Sequence, residues 1–258
     1  MIACDCQVCR STDPRDKRLR PSIFIETGTG ESVLVDAGPD LRTQALTYGL
    51  RQVDAIIFTH GHADHVLGLD EVRRFNALQR RAIPCYGDAA TIDDIRRIFW
   101  YVFDAATPGG GGLPQLETIV VKTPFRVGQQ EIVPVPIFHG TRSILGLRLG
   151  AFAYLTDCSR IPEESWRLLQ GLDVLVLDAL RERSHPTHFS LSEAIEAADR
   201  IGARRTYFTH VSHDLGHAAT CARLPDGVEL AYDGLVIHVG LDALDSTAHA
   251  PGRPGAAP

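Results

Sequence analysis

The sequence predicts a layered α/β fold, in which helices pack on the outside of β-sheets. Short apolar runs with strand character recur along the chain and alternate, from about residue 41 onward, with segments of helical periodicity. The chain has 258 residues, of which 44% are hydrophobic and 22% charged, so it is long enough to bury one large core. Helices that alternate with strands bury their apolar faces against a sheet, which gives a layered architecture.

The predicted strands are short apolar runs that end in polar or turn residues. The turn residues 28–30, which follow the first of these runs, predict a β-hairpin, and residues 232–234 predict a second one near the end. Strands are predicted at residues 22–27, 32–38, 54–60, 131–139, 152–157, 173–179 and 205–210.

The predicted helices fill the segments between these strands. Ser190 and Glu193 form a capping box at the start of the last helix, and Thr91 and Asp94 form a weaker variant. The glycine-rich segment 104–115 is predicted to be a flexible loop that covers an active site. Helices are predicted at residues 41–49, 66–80, 91–103, 162–170 and 190–202.

Composition limits the functional classes that need to be considered. The net charge is −6 and the pI about 6.0, which favours neither nucleic acid nor a membrane as a partner. The chain contains no membrane-length apolar run and no secretory signal, so we expect a cytoplasmic protein. We expect one domain over residues 1–244 and a disordered tail over residues 245–258, which is small, polar and proline-rich.

The segment THGHADH, residues 59–65, concentrates metal-ligand side chains at the end of a predicted strand. His60 and His62 flank a glycine, so both imidazoles can converge on one cation. Asp64 and His65 follow at the start of the next helix and would serve a second cation. Further ligand-type residues end other predicted strands, namely His139, Asp157 and His210. Together they predict a set of five histidines and two aspartates.

These residues resemble the HxHxDH signature of the metallo-β-lactamase fold and its later ligands in the same order. The resemblance implies a four-layer αβ/βα sandwich with a dinuclear site at one edge of the two sheets. It implies that one metal is held by His60, His62 and His139, that the other is held by Asp64, His65 and His210, and that Asp157 bridges them. It also implies that Asp36 orients a ligand histidine.

Another histidine, His188, precedes the capped helix and is not needed for the metal count. It resembles the histidine that phosphodiesterases of this fold use as a general acid toward the leaving alcohol. A histidine pKa near neutrality suits that role. We therefore assign the acid to His188 and not to neighbouring His185.

The N-terminal segment CDCQVC supplies three thiolates, from Cys4, Cys6 and Cys9, and a tetrahedral zinc needs a fourth ligand. His213 lies three residues after His210 and is the expected fourth ligand, with His217 as the competing candidate. This combination resembles the phosphoribosyl 1,2-cyclic phosphate phosphodiesterase (PhnP-like) family, in which a cysteine cluster and such a histidine hold a structural zinc. The family usually has a strand before the cysteines. This chain starts at Met1 and Ile2, so we expect that strand to be absent.

The resemblance predicts a phosphodiesterase with two divalent cations, zinc or manganese, and one structural zinc. A metal-bridging hydroxide would open a small cyclic phosphodiester, as in phosphonate metabolism, and His188 would protonate the leaving oxygen. A transfer-RNA 3′ processing endonuclease is the first alternative. Its expected basic arm is missing, because the stretch TPGGGGLPQLE contains no lysine or arginine. An inactive metal-stabilised binding module is the other alternative, and a homodimer is among the assembly states left open.

Overall fold

A computed structural model describes residues 1–108 and 112–240, and it contains two β-sheets with helices on their outer faces. The predicted α/β class is therefore confirmed. The first sheet has five strands in the order β1-β2-β3-β4-β5, and the second has seven in the order β12-β11-β10-β9-β8-β7-β6. No helix within the described ranges combines the length and the apolar character needed to cross a membrane.

The first sheet begins with an antiparallel hairpin, β1 to β2, and continues with parallel strands. Its strands are β1 (Ile23–Glu26), β2 (Ser32–Val35), β3 (Ala55–Ile57), β4 (Ile83–Gly87) and β5 (Leu116–Val120). The second sheet is antiparallel from β6 to β9 and parallel from β9 to β12. Its strands are β6 (Phe125–Val127), β7 (Gln130–His139), β8 (Arg142–Leu149), β9 (Phe152–Leu155), β10 (Val174–Asp178), β11 (Arg205–Thr209) and β12 (Val228–Leu230).

Eight α-helices and three short 3₁₀ segments connect these strands within the described residues. The α-helices are α1 (Leu41–Tyr48), α2 (Ala63–Val66), α3 (Arg73–Gln79), α4 (Ala89–Ile98), α5 (Trp100–Phe103), α6 (Glu163–Trp166), α7 (Leu191–Ile201) and α8 (His217–Cys221). The 3₁₀ segments are Pro14–Asp16, Leu69–Val72 and Arg167–Leu169.

Three apolar clusters separate four layers of secondary structure. The central cluster lies between the sheets and includes Val33 of β2 and the fully buried Tyr154 of β9. A second cluster packs the other face of the first sheet, including Leu34, against α2 and α3. A third packs the outer face of the second sheet against α7. Because β2 alternates its side chains between two clusters, both faces of the first sheet are covered.

The structure corrects several local predictions. The predicted second hairpin is wrong: β12 pairs in parallel with β11, and no strand follows it within the described residues up to 240. The weaker capping box is also wrong, because Asp88 and not Thr91 caps α4 and accepts from the Thr91 amide. The capping box of α7 is confirmed, with Ser190 and Glu193 making both hydrogen bonds. Two predictions fall partly or wholly outside the described residues. Residues 109–111 of the predicted loop 104–115 lie outside them, and so does the whole of the predicted tail 245–258.

The predicted helix 66–80 is broken near Gly68, where two segments of backbone meet. The Gly68 amide donates to the Ala37 carbonyl at 2.8 Å instead of continuing a helix. A Cβ built on Gly68 would lie 1.9 Å from the carbonyl oxygen of Gly38. The chain therefore needs a residue without a side chain at this crossing.

We expect Gly68→Ala to lower the free energy of unfolding by about 1–3 kcal/mol, because the added methyl group must displace a backbone carbonyl. Urea unfolding followed by circular dichroism measures this change. Gly49→Ala is the matched control for the loss of glycine, since a Cβ on Gly49 has open space and meets only the strain of a φ of 68°. A Gly68→Ala loss no larger than the control's would contradict the close-approach account.

Candidate active site

The polar cluster lies where several strands end at one edge of the two sheets. His60 and His62 follow β3, and Asp64 and His65 lie in α2. The second sheet brings in residues from the ends of four of its strands. These are His139 at the end of β7, Asp157 after β9, Asp178 at the end of β10 and His210 after β11. The predicted ligand residues are thus brought to one place.

Two groups of side chains lie on either side of Asp157. In each group the nitrogen or oxygen atoms that could bind a cation lie within 4.8 Å of one another. One group contains His60, His62 and His139, and the other contains Asp64, His65 and His210. These are the two sets that the resemblance implies.

Asp157 contacts both groups and is almost fully buried. Its Oδ2 lies 3.8 Å from His60 Nε2 and 3.4 Å from His210 Nε2. Its Oδ1 lies 3.1 Å from His65 Nε2. Metal–ligand bonds of about 2.0–2.2 Å place the ligand atoms of a tetrahedral site about 3.4 Å apart. The observed separations around Asp157 are close to that value.

Four buried imidazole nitrogens of this cluster have no hydrogen-bond partner among the residues that the structure describes. His60 Nε2, His65 Nε2 and both ring nitrogens of His210 are buried and unpartnered. Leaving such groups unpaired costs free energy, and native structures do so rarely. A cation that accepts the imidazole lone pairs removes this cost, so the residues fit the divalent metal ions that the fold family implies.

Asp36 orients His65 of the second group through a hydrogen bond, as the resemblance implies. Its Oδ2 accepts a hydrogen bond from His65 Nδ1 at 2.7 Å. The Thr59 amide donates to Asp36 Oδ1 and the Thr59 hydroxyl to Oδ2, each at 2.8 Å. Nδ1 of His65 is thereby engaged, so its Nε2 is the nitrogen directed into the cluster.

Three residues of the cluster adopt a backbone conformation that is costly for residues other than glycine. Asp36, Asp157 and His210 have φ values of 63°, 57° and 57°. Each lies just after a strand end, where this conformation turns the chain sharply. Strained backbone of this kind occurs preferentially at functional sites, where the surrounding structure over-determines it.

His188 lies beside the cluster and is held by a carboxylate that the sequence prediction missed. Its Nε2 lies 3.9 Å from Asp157 Oδ2, and its ring centroid lies 4.7 Å from that of His139. On the other side, Nδ1 lies 3.2 Å from Oδ1 of Asp178, whose Oδ2 accepts from the Phe189 amide at 3.0 Å. His185 lies farther out, with its ring 5.0 Å from that of His188. Since Asp178 ends a strand, the criterion that found the other residues would have found it.

The pKa values follow burial and neighbouring charge. Burial, and then the positive charge of His210, lowers the pKa of His188 to about 4. Burial opposes the charging of His65, but Asp36 and Asp157 outweigh it and raise the pKa of His65 well above its ordinary value. Burial raises the pKa of the Asp178 carboxyl. The neighbouring carboxylates therefore favour the charged form of His65, whereas burial favours the neutral form of His188.

The N-terminal cysteines form a second group with His213, next to α8. The Sγ atoms of Cys4, Cys6 and Cys9 lie 3.3, 3.4 and 3.7 Å from His213 Nδ1. Zinc bonds of about 2.3 Å to sulfur and about 2.0 Å to nitrogen put tetrahedral ligand atoms about 3.5 Å apart. A hydrogen bond from the Cys9 amide, and then the His213 side chain, lowers the pKa of Cys6 to about 6. The four side chains fit a tetrahedral zinc.

The competing fourth ligand, His217, lies elsewhere. Its Nε2 hydrogen-bonds the carbonyl of Leu230 at 3.1 Å, and its ring packs beside Cys221. The remaining cysteines, Cys85 and Cys158, are buried, and burial raises the pKa of both thiols.

Comparison with known proteins agrees with this geometry. A family model described as a beta-lactamase superfamily domain matches residues 31–211. A crystal structure described as a new diphosphatase from the PhnP family superposes with a TM-score of 0.85 and 44% sequence identity, covering 91% of this chain and 89% of that one.

Two curated relatives carry other names. An octanoyltransferase of Porphyromonas gingivalis is 36% identical over 91% of this chain, and the chain spans 48% of that protein's length. A ribonuclease Z of Pyrobaculum neutrophilum is 26% identical, over 77% of this chain and 83% of that protein. The longer relative thus shares only about half its length with this chain.

Proposed function

The chain is a PhnP-like member of the beta-lactamase superfamily, which has the metallo-β-lactamase hydrolase fold, and from this premise we propose that it is a dinuclear metal-dependent phosphodiesterase. We take its substrate to be a small cyclic phosphodiester such as phosphoribosyl 1,2-cyclic phosphate. The observation that carries the proposal is His188, a histidine outside both metal-ligand groups that directs Nε2 to within 3.9 Å of Asp157. A site with two cations and a separate acid matches the needs of phosphodiester hydrolysis.

Two divalent cations would be held by the two histidine-containing groups and shared through Asp157. When bound, they supply positive charge that polarises a phosphoryl group and stabilises oxygen atoms on both sides of the phosphorus. The five imidazoles and two carboxylates offer two negative charges against the four positive charges of such a pair. The surplus positive charge favours an anionic substrate.

His188 supplies the proton in this proposal. Asp178 engages Nδ1, which keeps the ring oriented with Nε2 toward the reacting group. Because burial lowers the pKa of His188 to about 4, the proposal requires the negative charge of the bound phosphodiester to raise that pKa, so that Nε2 carries a proton. As the phosphorus–oxygen bond breaks, the proton on Nε2 passes to the departing sugar oxygen, which leaves as an alcohol. Burial of His188 keeps competing water away from the transferred proton.

Hydrolysis of a diphosphate is the second candidate function. The 44% identical structure described as a diphosphatase favours it. A diphosphate diester and a cyclic phosphodiester both present a phosphorus with two oxygen-linked substituents, so the same ligand groups serve both. The leaving group differs: a phosphate monoester leaves readily without a proton, whereas an alkoxide needs one. Dependence on His188 therefore distinguishes the two reactions.

Processing of transfer RNA receives less support. The similarity to ribonuclease Z is 26%, and the glycine-rich stretch after α5 lacks the lysine and arginine residues that RNA phosphates require. A binding module without turnover remains the non-enzymatic alternative, and measurable metal-dependent hydrolysis eliminates it.

A side-by-side turnover assay tests the proposal. The purified protein, loaded with Mn²⁺ or Zn²⁺, is given phosphoribosyl 1,2-cyclic phosphate, a nucleoside diphosphate ester and a precursor tRNA. We expect the cyclic phosphate to give the highest kcat/KM. Preference for the diphosphate ester would establish the second candidate, and cleavage of the tRNA alone would establish the endonuclease.

The cysteine group gives a separate prediction. If Cys4, Cys6, Cys9 and His213 hold a structural zinc, Cys6→Ser loses one metal equivalent and lowers the melting temperature by several degrees, because metal binding there contributes to folding. Cys221→Ser is the matched control, since Cys221 is a partly buried thiol outside that group. Unchanged metal content and melting of Cys6→Ser would refute the zinc assignment.

A further inference from the structure

We propose that Arg142 determines specificity by binding a second, non-reacting phosphoryl group of the substrate beside the candidate metal site. The inference rests on the proposed function, because it names the substrate class of that same site. The proposal predicts that the substrate carries two phosphoryl groups. One of them is hydrolysed, and the other is bound by Arg142 without reacting.

Arg142 lies next to the first ligand group by virtue of strand pairing. It begins β8 and is the register partner of His139, the last residue of β7. Cα atoms of antiparallel partners lie within about 5.5 Å of each other, so the arginine starts beside a predicted ligand. Its side chain is 33% exposed and therefore reaches the solvent-facing side of the site.

A carboxylate on α4 fixes the guanidinium close to the histidine motif. Nη2 of Arg142 donates to Oδ2 of Asp94 at 2.8 Å. A Cβ built on Gly61 would lie 2.6 Å from that same oxygen, so Asp94 packs directly on the residue that separates His60 from His62. The guanidinium therefore stands at the exposed His62 side of the cluster.

The local charge balance favours an anion. Asp94 also accepts from Arg97 Nη2 at 2.8 Å, so one carboxylate is shared by two guanidinium groups and about one positive charge is left over. In the residues that the structure describes, Arg142 Nε and Nη1 donate to no protein group. A guanidinium with free N–H groups binds phosphate oxygens in a bidentate manner, which a lysine cannot do.

Arg97 provides the matched control. It binds the same carboxylate and has the same charge, but it lies on α4 beside Asp94 and is 75% exposed, whereas Arg142 lies on β8 opposite His139. Removal of Arg97 changes the net charge as much as removal of Arg142. Only Arg142 is beside the ligand group.

Calorimetric titration tests the proposal without turnover. The Mn²⁺-loaded wild type, Arg142→Ala, Arg142→Lys and Arg97→Ala are titrated with propane-1,3-diol bisphosphate and, separately, with propyl phosphate. The wild type is expected to bind the bisphosphate more tightly than the monophosphate. Arg142→Ala is expected to lose about tenfold of this preference, which is the size of one charge-assisted hydrogen bond pair. Arg142→Lys is expected to lose part of it, and Arg97→Ala to keep it.

The proposal is overturned if the wild type shows no preference, if Arg142→Ala keeps it, or if Arg97→Ala loses as much. If Arg142→Ala does not fold, Arg142→Lys replaces it, because this variant retains the charge. Its ratio of bisphosphate affinity to monophosphate affinity is then compared with that of the wild type. Since binding is measured, failure of the phosphodiesterase proposal would be seen separately, as absence of turnover by the wild type.

Discussion

Asp157→Asn is expected to lose both active-site cations and to lower kcat by about 10³-fold. The cations stabilise the charge of the transition state by several kcal/mol, and each 1.36 kcal/mol lost lowers the rate about tenfold. Asp157 is the carboxylate that approaches both histidine groups, at 3.8 Å from His60 in one and 3.1 Å from His65 in the other. Asparagine keeps the shape of the side chain and tolerates the positive φ of 57° at this position. The variant should therefore fold.

Metal content by mass spectrometry and kcat on the cyclic phosphodiester measure this effect together. Asp199→Asn, on the exposed face of α7, is the control for loss of one carboxylate. The zinc equivalent proposed to be held by the cysteine group is expected to remain bound in both variants. Retention of all metal and of the wild-type rate by Asp157→Asn would contradict the bridging role.

His188→Ala is expected to keep all metal equivalents and to lower kcat on the cyclic phosphodiester by about 10²–10⁴-fold, the usual contribution of a general acid. His188 is close enough to Asp157 that a role as a metal ligand must be separated from a role as an acid. Metal content separates them, since loss of a ligand removes a cation and loss of the acid does not. Normal turnover by this variant would show that the acid assignment is wrong.

Asp178→Asn tests how His188 is held. Asparagine preserves the hydrogen bond to the Phe189 amide but no longer offers His188 a carboxylate. We expect a smaller loss of kcat than in His188→Ala, with KM unchanged and a shifted pH profile. His185→Ala is the control, because His185 lies outside that contact, and it should retain most of the rate.

The clustering of the candidate site residues was predictable because a single rule of chain geometry places them. Ends of parallel strands meet at one edge of a sheet, so ligand-type residues after strand ends converge. Asp178 obeys the same rule, which places its carboxylate at the site edge but does not indicate its partner. Its role becomes visible only when the loop before α7 folds back and puts His188 against it.

Other parts of the structure depend on contacts that lie far apart in sequence. The break after α2 arises because Gly68 meets the backbone of Ala37 and Gly38, about 30 residues earlier along the chain. Strand β8, with its glycine and two arginines, lacks a clean apolar alternation and gains its place by pairing with β7 and β9. Periodicity within one segment carries no information about such partners.

The choice between His213 and His217 illustrates the same limit. Both histidines follow His210 closely, and spacing alone does not separate them. The chain after β11 turns so that His213 faces the cysteines, while His217 enters α8 and bonds Leu230 of β12. The prediction of His213 relied on the family resemblance, and the Cys6→Ser variant tests its assignment as a zinc ligand.

A metal titration of turnover tests the central claim most directly. The protein is stripped with a chelator, the cysteine site is refilled with one equivalent of zinc, and hydrolysis of phosphoribosyl 1,2-cyclic phosphate is followed as Mn²⁺ is added. The account predicts no turnover at the start and a rise that reaches its plateau at about two further equivalents, the number of cations in a two-metal site. Full turnover by the stripped protein, or none at saturating Mn²⁺ or Zn²⁺, would contradict a dinuclear metal-dependent phosphodiesterase.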